Sequence, residues 1–317
     1  MQAPAVKQRK DHLDTLAVVL LLTCCALWGI NQVAAKVALA EVPPLLQAAA
    51  RSLGATLLLL VFAHLRGLPL WGRDGTGPAG WLAGLLFAAE FACMFVGLQY
   101  TSASRMVVFL YVAPFVVALG MPFLARQERL DAWQVLGLLA AFGGVVWAFF
   151  EGFVRPAAGP LQWLGDLLGF AAAVLWGLTT LVLRGSRLAS ALPEKTLLYQ
   201  LAVSGAALLL GGWSVGESWP ASLSAKVWWL LGFQTVVVTF GSYLVWFWLI
   251  RHYPATRLSA FTLLTPVFGL LAGALLLGEP VTLRLLTALL AVSFGIAMVN
   301  RAPRGPRLDS PASGDSR

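Results

Sequence analysis

The chain has 317 residues, a formal net charge of +8, 59% hydrophobic residues and 11% charged ones, and its mean hydropathy is +0.80. Soluble domains carry about a quarter charged residues, so a soluble globule is excluded, as are a disordered, collagen-like or disulfide-stapled chain. The composition predicts an all-α integral membrane protein. A bilayer span takes about 20 apolar residues, and ten such spans leave only short loops and tails.

In chain order, residues 1–14 form a polar tail with Lys7, Arg9 and Lys10. The apolar run over 15–40 is too long for the h-region of a cleaved signal peptide and reads as the first span, ended by Pro43-Pro44. Further spans are predicted near 45–65, 79–100, 104–124 and 132–150. A Gly/Pro-rich linker over 151–162 follows, then spans near 163–183, 196–212, 226–249, 256–277 and 282–300. The tail 301–317 is rich in Pro, Ser, Gly and charge, a composition that favours disorder.

With the N-terminus in the cytoplasm, sixteen of the 22 Lys and Arg residues fall on that side. This asymmetry predicts an inner-membrane protein with both termini cytoplasmic, and an even span count is needed to keep it. Trp71, Trp81, Trp133, Trp163, Trp213 and Trp228 fall near span ends, as an interfacial aromatic belt does. Cys24, Cys25 and Cys93 have no paired spacing, and His12, His64 and His252 never recur at i, i+4. Neither a disulfide framework nor a metal site follows. Dispersed basic residues argue for topology rather than nucleic acid.

Residues n and n+148 match: Leu27-Trp28-Gly29-Ile30 stands beside Leu175-Trp176-Gly177-Leu178, and Lys36 beside Arg184. With small slips, Tyr100, Pro114 and Glu128 are echoed by Tyr253, Pro266 and Glu279. Each half, 15–150 and 163–300, then holds five spans. An odd number threads the two halves in opposite senses, giving ten transmembrane helices as two inverted five-helix repeats. Such repeats can rock about a midplane site and expose it to each side in turn.

These residues, with Arg51, the run Tyr100 to Ser104, the Gly-rich fifth span (Gly137, Gly143, Gly144) and Gly295, resemble two EamA-type domains of the drug/metabolite transporter superfamily. The resemblance covers about residues 15–300. It implies a ten-helix secondary carrier, in most cases an exporter of amino acids, metabolites or drugs. The second half departs from the usual Glu-Arg-Leu, having Glu279-Pro280-Val281.

Ionisable groups in the hydrocarbon normally face a cavity or a partner. Glu90, near the middle of the third span, can hold a proton, serve as counter-ion, bind a substrate amine, or remain a neutral hydrogen-bonding group between helices. Trp28, Gln32 and Lys36 recur at i, i+4, i+8 and share one helix face; Trp176, Thr180 and Arg184 repeat it. These stripes are read as cavity-lining, although Lys36 can also snorkel and Arg184 can be an inner anchor. Arg51 can clamp a substrate carboxylate or pair with Glu90. Thr235, Thr239, Ser242, Tyr243 and Trp246 make a polar-aromatic face in the eighth span. Gln200, Ser204, Ser259 and Thr262 offer further hydroxyl or amide groups, equally suited to interhelical bonding. Pro114 and Pro266 are candidate hinges. Glu128 and Glu279 each precede a plausible N-cap, Asp131 and Thr282, by three residues and read as helix-start groups.

No P-loop, His-Glu-x-x-His or Gly-x-Ser-x-Gly is present, which argues against ATP hydrolysis by a P-loop and against a hydrolase. No cofactor is implied. The expected function is export of small metabolites, amino acids or related amphipathic compounds, by alternating access around a central cavity. A membrane-embedded lipid-linked transferase or a non-transporting scaffold are the competing readings. The expected partners are a small-molecule substrate and the lipid bilayer, with oligomeric state open.

Overall fold

The computed structural model describes residues 10, 12–72, 74–97, 100–101, 103–150, 160–277 and 283–301. The first half contains α1 (Thr15–Ala38), α2 (Pro44–Leu65), α3 (Gly77–Gly97), α4 (Ala103–Leu110), α5 (Ala113–Leu124) and α6 (Ala132–Ala148). The second contains α7 (Gln162–Gly185), α8 (Pro193–Ser214), α9 (Ala225–Gly232), a π-helical stretch Phe233–Ser242, α10 (Tyr243–His252), α11 (Ala255–Phe261), α12 (Thr265–Leu277) and α13 (Leu283–Val299). Eight helical segments among the described residues are long and apolar enough to cross a bilayer, and two shorter apolar ones, the fifth and tenth, complete the ten.

Three spans are less regular than their sequences suggest. The fourth is broken between α4 and α5 at Tyr111-Val112, and the ninth by a 3₁₀ turn at Thr262–Leu264. Pro114 and Pro266 therefore stand in the first turns of α5 and α12. The first turn of a helix tolerates a residue without an N–H. The eighth span keeps its helical path but widens through ten π-helical residues between α9 and α10.

The repeat is legible in how helices start and stop. Helices α2 and α8 begin on Pro44 and Pro193, each at the first helical position. Both end on glycine with φ of +61° at Gly67 and +82° at Gly216. At each end the glycine N–H bonds back to His64 or Trp213 (3.1 Å in both), and the next N–H to Ala63 or Gly212 (2.9 Å in both). This is a Schellman closure, which needs a left-handed residue and so selects glycine. All these positions repeat at an offset of 149.

Packing repeats as well. The first span lies on the ninth and the sixth on the fourth; the second lies on the eighth and the third on the seventh. Exchanging each span with the one five places on maps these contacts onto each other. The pairs second–seventh and fifth–tenth map onto themselves, which is the signature of a two-fold axis between the halves. The glycine of each Leu-Trp-Gly sits at a crossing. A Cβ on Gly29 would meet Phe268 C at 2.7 Å, and one on Gly177 would meet Val116 Cβ at 2.5 Å.

The outer surface is apolar. Leu57, Phe123, Trp229 and Leu275 are exposed, and so are the six tryptophans of the expected belt. In water such a surface would drive aggregation; against acyl chains it is the proper solvent-facing side.

Candidate functional site

Arg51 lies seven residues into α2, and Glu90 seven residues before the end of α3. Helices α2 and α3 run oppositely, so both groups sit about 10 Å in from the same face. That face lies opposite the N-terminus. Arg51 is 5% and Glu90 7% exposed. They interact electrostatically with each other and with Tyr243, yet no ion pair within 4 Å joins them. Arg51 Nε and Glu90 Oε2 are both buried without a hydrogen-bond partner. The guanidinium lies over the Phe91 ring, 4.5 Å from its centroid.

Aromatic rings connect outward from this pair through Phe91 and Tyr243. Trp28 contacts Trp246 and Tyr243 edge-on, with centroids 5.3 and 6.1 Å apart. Its indole Nε1 donates to Ser242 Oγ at 2.8 Å. Phe87 packs on Phe91 at 4.8 Å and on Tyr243 at 6.2 Å. Ser242 ends the π-helical stretch, and its hydroxyl donates to Val238 O at 2.6 Å. Within the same stretch, Thr239 Oγ1 is buried and unpartnered. At the start of that stretch, Gln47 Nε2 donates to Gln234 Oε1 at 3.0 Å, joining the second span to the eighth.

The structure thus brings together Trp28, Arg51, Glu90, Tyr243 and Trp246, with Thr239 close by in the same span. Trp176 stands across Tyr111, ring to ring at 5.7 Å, and Tyr111 interacts with both Tyr243 and Glu90. Thr180 points its hydroxyl to Trp176 O at 3.3 Å and so is satisfied inside its own helix. Ser204 and Thr262 do likewise, with Leu201 O and Ser259 O. Such back-bonding leaves less for a ligand. The side chains of Gln32 and Lys36, and residue Glu279, lie outside the described residues.

Sequence reasoning did not single out Gln47, Phe87, Phe91, Tyr111 or Gln234. One signal was available: Gln47 precedes Arg51 by four residues and so shares its helix face. The π-helical widening has no comparable mark in the sequence.

Glu128 and Arg184 meet at the N-terminal face. Asp131 caps α6 with Gln134 in a reciprocal capping box, at the expected N-cap position three residues after Glu128. The Glu128 carboxylate accepts from Thr256 N at the start of α11 (3.2 Å) and from Arg184 Nη2. Arg184 also donates to Ile250 O at 2.9 Å. The two form a buried ion pair at the inner end of α7. Elsewhere on that face, Lys195 Nζ reaches Asp74 Oδ2 at 2.7 Å and holds that carboxyl well below the usual range.

A model of the EamA-like transporter family matches residues 15–150 and again residues 163–301. The chain belongs to this family. It is therefore a member of the drug/metabolite transporter superfamily and a membrane transporter rather than an enzyme. It is 31% identical over 300 residues to the uncharacterised transporter YvbV of Bacillus subtilis, covering 92% of this chain and 93% of the other. It is 33% identical over 256 residues to the uncharacterised protein PA1977 of Pseudomonas aeruginosa, covering 81% and 83%. It is 25% identical to a "Probable amino-acid metabolite efflux pump" of Escherichia coli, covering 86% and 89%. A solved crystal structure shares the fold of this EamA chain with a TM-score of 0.77 at 19% identity, over 90% of this chain and 96% of that one.

Proposed function

We propose that the protein exports small zwitterionic metabolites, amino acids with apolar or aromatic side chains foremost, from the cytoplasm across an inner membrane by alternating access. One observation carries this: a buried guanidinium and a buried carboxylate, each with an unpartnered polar atom, beside a cluster of aromatic rings. A buried polar atom without a hydrogen-bond partner is costly. A ligand bearing both a carboxylate and an ammonium group would satisfy Arg51 and Glu90 together. Trp28, Phe87, Tyr243 and Trp246 would then receive its side chain. The efflux pump resembled by the chain supports the same cargo class, and the two-fold repeat supplies the symmetry that alternating access uses. Both termini are assigned to the cytoplasm on the Lys and Arg asymmetry.

The test is counterflow in proteoliposomes with a panel of amino acids, organic amines and organic anions, with and without a pH gradient. Exchange of amino acids, lost in Arg51→Gln, is the expected result. Exchange of amines alone that survives Arg51→Gln would assign the site to organic cations. No flux across the whole panel would refute the reading. Glu90→Gln separates the two uses of the carboxylate. Loss of pH-gradient stimulation with exchange retained marks a proton site, whereas loss of exchange marks an ammonium site.

A further inference from the structure

The starts of the fourth and ninth spans correspond at an offset of 152: Ala103-Ser104-Arg105 with Ala255-Thr256-Arg257, Phe109 with Phe261, and Pro114 with Pro266. Their backbone neighbours correspond too, since Val116 and Phe268, at the same offset, face Gly177 and Gly29. These two span starts lie at opposite faces of the protein, and each is tied to a span of the other repeat. On the face away from the N-terminus, Asp166 of α7 accepts from Thr101 Oγ1 at 2.7 Å and from Arg105 Nε and Nη2 at 3.0 and 2.5 Å. The helix backbones are close there: a Cβ on Gly165 would meet Thr101 N at 2.7 Å. On the N-terminal face, Asp14 at the start of α1 accepts from Tyr253 Oη at 2.9 Å, and Arg257 Nη1 meets His12 Nδ1 at 2.7 Å. Lys10 N donates to His252 O at 3.1 Å and its ammonium pairs with Asp14.

We propose that these are two pseudo-equivalent latches that gate the pathway: Asp166–Arg105–Thr101 at one face, and Asp14–Tyr253 with His12–Arg257 at the other. Each fastens the entry of one repeat's first span to the entry of the other repeat's fourth. Both are fastened here, and the Arg51–Glu90 pair between them is buried. Opening a face requires its own latch to release while the other holds, so the two states differ by an exchange of equivalent contacts. This inference rests on the alternating-access reading but not on the identity of the cargo.

The experiment measures side-specific access to one thiol in proteoliposomes of known orientation. Cys24, Cys25 and Cys93 are replaced by alanine, and Thr239→Cys supplies a buried probe at the middle of the eighth span. A membrane-impermeant maleimide is then added from either side. Asp166→Asn is expected to raise labelling about tenfold from the face away from the N-terminus, equivalent to about 1.4 kcal/mol, without raising it from the N-terminal face. Asp14→Asn with Tyr253→Phe is expected to do the reverse. The charge-swapped pair Arg105→Asp with Asp166→Arg is expected to restore the slow rate, which separates latch release from misfolding. Equal gains from both sides, unchanged labelling, or no recovery in the swapped pair would overturn the assignment. Because no substrate enters this assay, failure of the cargo panel and failure of the latches are distinguishable.

Discussion

Replacing Glu128 by alanine tests the buried ion pair at the N-terminal face. Arg184 and Glu128 have side chains only 2% and 3% exposed. Removing the carboxylate leaves the guanidinium with Ile250 O as its named acceptor, while Arg184 Nε is already unpartnered. It also strips the acceptor from Thr256 N at the start of α11. Breaking a buried pair by deleting one partner costs about 3–5 kcal/mol, and losing a helix-start acceptor costs about 1 kcal/mol. Glu128→Ala should therefore destabilise by about 4–6 kcal/mol. Removing both charges with Glu128→Leu and Arg184→Met should recover most of that, because no buried charge is left uncompensated. Unfolding in mixed micelles with rising SDS measures the single and double variants as a cycle. A Glu128→Ala loss below about 1 kcal/mol, or a double variant no better than the single one, would refute the account of this pair.

Gly29→Ala should cost about 1–3 kcal/mol by overpacking, since its Cβ meets the backbone of Phe268 and Gly269; Gly177→Ala meets the side chain of Val116, which can shift, and should cost less. Thermal melting in detergent orders the two. Asp14 is pushed down from 3.8 to about 2 by its hydrogen bond from Lys10 and then by Ala17 N. A depressed carboxylate stabilises fully above its unfolded pKa and ceases to as pH falls through its folded one. Melting should show this contribution intact above pH 4 and lost towards pH 2, a component missing in Asp14→Asn. Trp28→Phe removes the 2.8 Å bond to Ser242 while keeping the ring packing. It should cost about 1 kcal/mol and weaken substrate binding in counterflow more than it slows saturated exchange.

The number and order of spans were readable because the apolar runs are long and punctuated by proline, glycine and charge. The repeat showed in Trp28-Gly29 and Trp176-Gly177, and the packing gives those glycines a cause in close crossings with the ninth and fourth spans. Glu90 and Arg51 stood out because a charge inside an apolar run is costly wherever it points. Their neighbours did not, since Phe87, Phe91 and Tyr111 look like any lipid-facing or core aromatic until the helices are packed. The breaks before Pro114 and Pro266 were half visible: proline marked the place, but not that the helix would restart there. The π-helical stretch and the partnership of Glu128 with Arg184, 56 residues apart, arise from tertiary packing and leave no periodic trace.

The fifth span is short for a bilayer crossing. Helix α6, capped by Asp131 and closed at Phe149, has 17 residues, about 26 Å of rise, whereas α1 has 24 residues. The hydrocarbon layer is about 30 Å thick, so the membrane beside α6 must thin or the helix must leave its ends under headgroups. Each ångström of mismatch costs a fraction of a kcal/mol, and the side of the molecule that carries α6 becomes the one that senses bilayer thickness. Lipids with shorter chains should gather there, giving the molecule a preferred face towards thin patches of its membrane.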